Sequence, residues 1–146
     1  MKPKSTYPIV TTLFVLYIAA VFFFCLYNFT QDSLDMSRYI FGIRLDRFFH
    51  FLMFLPYPFV GWLFFHYNKR IKIYKQYRFA VIILTGVLIA SFSEAAQELF
   101  TTYRDGDPYD LGADLTGLAV GCIILYLFEE FFTKIAHHFF PKEEKK

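Results

Sequence analysis

Four apolar runs, each close to the length a helix needs to cross a lipid bilayer, dominate this 146-residue chain. A membrane-crossing helix takes about 20 apolar residues at about 1.5 Å of rise each. The runs are Ile9 to Tyr27, Phe48 to Tyr67, Phe79 to Phe100 and Asp110 to about Phe132. Inside lipid every backbone N–H and C=O must be satisfied within the protein, so runs of this kind fold as helices. The expected fold is therefore all-α: a single membrane domain over residues 1–146, built as a four-transmembrane-helix bundle. Hydrophobic residues make up 56% of the chain and the mean hydropathy is +0.37, which leaves too little polar surface for a water-soluble domain of this size.

Charge supplies the orientation. Lys2 and Lys4 precede the first run, Lys69, Arg70, Lys72, Lys75 and Arg78 fall between the second and third, and Lys134, Lys142, Lys145 and Lys146 follow the fourth. Basic residues stay on the cytoplasmic side, so both termini are expected there. No basic patch is interleaved with exposed aromatics, which excludes nucleic acid as a partner. The first run is too long for the apolar core of a cleaved leader. Cys25 and Cys122 lie inside apolar runs and read as small packing residues, not as a disulfide. Pro56 and Pro58 should break the second helix, because each removes a backbone donor. Gly117 and Gly121, extended by Ala113, form a small-residue face expected to bring the fourth helix close to the third.

The remaining polarity converges on one side. Asp46 and His50 open the second helix; Glu94, Gln97 and Glu98 end the third; Arg104 lies in the following turn; Asp110 and Asp114 open the fourth. The first and third connections must share a side in any four-span topology, so these groups gather whichever way the protein is inserted. Spacings of three and four residues place each set on one helical face. Ionisable groups at such depth face the bundle interior and pair with one another. Asp46, His50 and Glu94 are the candidates for acid–base chemistry. Gln97, Glu98, Arg104, Asp110 and Asp114 are the candidates for holding a ligand, with Arg104 as counter-charge to the acids or as a grip on an anion. His50 is the only histidine on this side and the spacing matches no metal signature, so no metal ligand is assigned. No cofactor can be named, for no phosphate-cradling loop, nucleophile elbow or paired-cysteine motif is present.

The segment LDRFFHF at 45–51 resembles the Asp-x-x-x-His opening of the second helix in the VanZ-like family. The stretch SEAAQELFTTYRDGDPYDLGADLTGLAVG resembles that family's second signature, at Glu94, Gln97, Phe100, Arg104, Asp110, Asp114, Gly117 and Gly121. The resemblance extends over nearly the whole chain. It departs at Asp114, where the family usually carries asparagine, so the polar group here gains a carboxylate. The resemblance implies a multi-pass protein of the bacterial cytoplasmic membrane, acting on or binding a cell-envelope component and affecting susceptibility to the glycopeptide teicoplanin. Its partners would be the bilayer and a lipid-linked or anionic envelope component.

Two other readings stay open at this level. The polar group is a structural ion-pair network in a non-enzymatic membrane scaffold, or it belongs to a small proton- or ion-coupled carrier. Against the carrier, Leu118 to Phe128 offers only Tyr126 as a polar tip in the inner half of the fourth helix. Catalysis and simple binding are not distinguished by these residues.

Overall fold

The computed structural model describes residues 6–27, 36–40, 42–68, 71, 73–102 and 107–140. Helix α1 spans Thr6–Leu26. A two-residue hairpin follows, β1 at Tyr39–Ile40 and β2 at Ile43–Arg44. The strands pair antiparallel, with Tyr39 opposite Arg44 and Ile40 opposite Ile43. Gly42 in its turn takes φ 81°, a conformation most side chains resist. This hairpin accounts for Tyr39 to Ile43, an apolar piece in a polar connection whose sequence favours neither helix nor strand.

The second span runs from Leu45 to Tyr67 as two helices, α2 at Leu45–Phe54 and α3 at Tyr57–Tyr67. The break lies at Leu55 and Pro56, as the two prolines require. The hydroxyl of Tyr17 on α1 donates to the Met53 carbonyl beside the break, so a neighbouring helix meets polarity that lipid would not. A short 3-10 turn at Lys75–Tyr77 leads into α4, Arg78–Phe100. Helix α5 is Pro108–Leu127, and α6 is Glu129–Phe139. The fourth span thus ends earlier than the apolar run suggests. The chain turns at Phe128, and α6 runs along α3, with Phe132 4.8 Å from Phe59 and Phe140 5.9 Å from Tyr67 between ring centroids.

Four segments are long and apolar enough to cross a membrane: Pro8–Leu26, Leu45–Tyr67, Lys75–Phe100 and Pro108–Leu127. No more than 33% of any span's apolar window is buried inside the protein. The outward remainder, including Leu16, Phe23, Leu84, Phe92 and Ile123, is a continuous apolar surface of the kind that marks a membrane protein. Val10, Tyr57, Trp62, Ile82, Leu118 and Leu125 form the core. Cys25 and Cys122 form no disulfide.

The small-residue face of α5 meets α2, not the third helix α4 as the sequence suggested. A Cβ built on Gly117 would stand 2.3 Å from the Phe51 carbonyl oxygen, and one on Gly121 2.2 Å from that of Leu55. Only hydrogen fits there, because α5 lies directly against the backbone of the proline-broken span. The α4–α5 contact is made differently, through Gly86, whose Cα faces the Leu118 and Tyr57 side chains.

Alanine at Gly117 or Gly121 should destabilise the protein by about 1–3 kcal/mol, because the clash is with backbone and cannot be relieved by a rotamer change. Gly112→Ala, with nothing within 4 Å of its added carbon, should be neutral or stabilising by up to about 1 kcal/mol. Thermal unfolding in detergent measures both.

Candidate functional site

The glycine seam holds α2 and α5 side by side with both N-termini on the same side. Helix α4 runs the other way and ends between them. Asp107 caps α5, its Oδ1 accepting from the Tyr109 amide at 2.9 Å, and Pro108 occupies the first turn, where its missing donor costs nothing. Asp46 and Asp110 fall in the first turns of their helices, where the aligned backbone dipoles favour negative charge. The four-residue steps to His50 and Asp114 then carry one face of each helix a turn inward.

His50 is the centre of this arrangement and is 1% exposed. Its Nδ1 lies 2.9 Å from Asp114 Oδ1 and 3.6 Å from Glu94 Oε1, and its Nε2 lies 3.8 Å from Asp110 Oδ2. Three carboxylates from two other helices therefore surround one imidazole, and all four side chains are buried. The Asp107 backbone amide attracts the Glu94 carboxylate, yet neither Glu94 oxygen makes a hydrogen bond.

Above this centre lies a second, more exposed layer. Arg44 pairs with Asp46 and reaches Asp107 at 3.5 Å. Arg47 stands 3.2 Å from Asp107 and 3.7 Å from Asp110, with its guanidinium 4.5 Å from the centre of the Tyr109 ring. Burial pulls the Asp107 carboxyl upward, but the Tyr109 amide and the Arg47 guanidinium outweigh it and hold the group below the usual aspartate range. A depressed carboxyl pKa contributes stability above its unfolded value, so this clasp persists wherever an ordinary aspartate is charged and loosens only in stronger acid. A cavity of about 240 Å³ opens beside the centre, lined by Phe24, Met36, Phe49, Leu52 and Met53, with Asp46 and His50 as its polar walls.

Of the residues expected at the site, His50, Glu94, Asp110 and Asp114 come together. Asp46 is buried nearby, but the partners found for it are Arg44 and the Arg47 amide, while the imidazole faces Asp114. Gln97 is fully buried and donates from Nε2 to the Cys25 carbonyl at 2.9 Å, tying α4 to α1. Glu98 is exposed and stands apart from Glu94: the extra step of four residues brings it to the solvated end of α4. Arg104 lies outside the described residues. Sequence reasoning passed over Arg44, Arg47 and Asp107 as site members. The signal available for them was the alternation of charges in RLDR beside the helix start, together with Asp-Pro as a cap.

Comparison of the chain with protein-family models, with curated proteins and with solved structures gives no match in any of the three.

Asp114→Ala leaves the buried imidazole without its nearest carboxylate and should cost about 3–5 kcal/mol. The double variant with His50→Ala should cost less than the two single losses added together. Gln97→Leu should cost about 1 kcal/mol through the lost Cys25 bond. Unfolding of the purified variants in detergent gives these values.

Proposed function

We propose that this chain is a VanZ-like integral protein of the bacterial cytoplasmic membrane, with both termini in the cytoplasm, whose outward site binds or acts on an anionic, lipid-linked component of the cell envelope. One observation carries the reading: a buried imidazole ringed by carboxylates forms the polar wall of a cavity that is otherwise apolar. Such a site suits an amphiphile. Phe24, Phe49 and Leu52 offer an apolar seat to a chain. Arg44 pairs with Asp46 of the cavity wall and Arg47 with Asp107, and the buried Nε of each has no hydrogen-bond acceptor, which leaves donors for a phosphate or carboxylate.

The residues below the centre argue against a through-path. Tyr57, Ile82, Leu118 and Leu125 pack the inner half, and the polar contacts there, Tyr57–Thr85, Trp62–Glu129 and Arg78–His66, are separate pairs, which favours an outward binding site over a carrier. The structural-staple reading draws on the Arg44–Asp107–Arg47 clasp and is separated from binding by experiment.

In a strain whose teicoplanin tolerance depends on this protein, Glu94→Gln and Arg47→Ala should abolish tolerance while membrane abundance stays near wild type. Unchanged tolerance, or loss that merely follows abundance, removes the site from function. An impermeant thiol reagent applied to intact cells should label Ser37→Cys and spare Lys75→Cys; the reverse pattern overturns the orientation.

A further inference from the structure

Among the described residues, Asp46, Glu94, Asp107, Asp110 and Asp114 converge on two guanidiniums and one imidazole. Both guanidiniums sit in the outer layer, where Asp46, Asp107 and Asp110 engage them. Glu94 and Asp114 lie deeper, and both face His50.

We propose that this centre is a binding site for a divalent transition-metal ion of the zinc type, held by Nδ1 of His50 and by one carboxylate oxygen each from Glu94 and Asp114. The inference goes beyond the envelope-component reading and does not depend on it.

The geometry is close to what such an ion takes. The three donor atoms lie within 4.8 Å of one another. Zinc bonds to nitrogen and oxygen of about 2.0–2.1 Å place tetrahedral neighbours about 3.4 Å apart. Oε1 of Glu94 is 3.6 Å from Nδ1 and needs almost no movement; Oδ1 of Asp114, at 2.9 Å, has to open by about half an ångström. Glu94 supplies the independent sign of a guest. It is 8% exposed, its Oε1 points at the imidazole, and both oxygens are buried without a hydrogen bond. A buried carboxylate left in that state is costly until a proton or a cation neutralises it, and the three converging donors suit a cation.

The remaining acid fits as well. Asp110 faces Nε2, the ring nitrogen opposite the donor. A metal-bound histidine commonly directs its other N–H to a carboxylate, which fixes its tautomer and raises its basicity. One imidazole with two carboxylates suits zinc or manganese better than calcium or magnesium, which prefer oxygen alone. Three protein ligands leave a tetrahedral position for solvent or for an oxygen of a bound head group. Spacing along the chain concealed the set, because its members come from α2, α4 and α5.

Titration of the metal-stripped, full-length protein in detergent with zinc chloride tests the site. One zinc per chain is expected, with affinity reduced at least tenfold in Glu94→Gln and in Asp114→Asn and unchanged in Glu98→Gln, the exposed neighbour on the same helix. Glu94→Gln keeps the shape of the side chain and is the decisive variant; its helical circular dichroism should match wild type. X-ray absorption of the bound metal should report a single imidazole, also after His137→Ala and His138→Ala. No stoichiometric binding, or equal binding by Glu94→Gln, overturns the proposal. Zinc bound at this site in a protein whose Glu94→Gln variant keeps full tolerance supports the metal and counts against the envelope reading. Tolerance that needs His50 in a protein that binds no zinc does the reverse.

Discussion

A carboxylate beneath apolar side chains has to share its charge, and here several must do so within one turn of two helix ends. The parallel approach of α2 and α5 makes this possible. It brings two positive helix ends to the same depth, sets His50 against Asp114, and leaves room for Glu94 from the antiparallel α4. The approach itself depends on two hydrogens: any side chain at Gly117 or Gly121 would meet a backbone oxygen of the neighbouring span. The polar centre and the glycine seam are one construction, since separating the helices by the width of a methyl group would pull the imidazole from its acids.

The proline break has a place in the same construction. A continuous helix would keep its carbonyls on its own axis; the interrupted one turns polarity toward its neighbours. Tyr17 meets Met53 from one side, and α5 closes over Leu55 from the other. Gln97 completes the frame by fastening α4 to the end of α1. These polar ties lie toward the end of the bundle that carries His50, beside a core of aromatic and aliphatic side chains. The asymmetry gathers the carboxylates and His50 at one face, while the other half holds separate polar pairs such as Tyr57–Thr85 and Arg78–His66.

Much of this was legible from the residues. Run lengths showed four spans, and chain topology alone brought His50, Glu94, Asp110 and Asp114 to one side. The errors have a common cause. Helices α1 and α4 are apolar nearly all round, so their periodicity does not say which face turns inward. Glu98 was therefore grouped with Glu94, and the small-residue face of α5 was turned toward the wrong helix. Asp46 and His50 were read as a pair from their spacing, although spacing along one helix cannot show what a neighbouring helix offers. The turn at Phe128 was hidden because Phe131 and Phe132 prolong the apolar run beyond the point where α5 ends.

What the amino-acid order determined alone was the number of spans, their breaks at proline, and the side on which charge collects, because each follows from solvation of the backbone and of single side chains. Rotation of each helix about its axis, and with it the partner of every buried charge, was decided only by tertiary packing. Lipid-facing and core-facing apolar side chains are chemically alike. Only the fit of Gly117 and Gly121 against the backbone of α2 selects one angle over the rest.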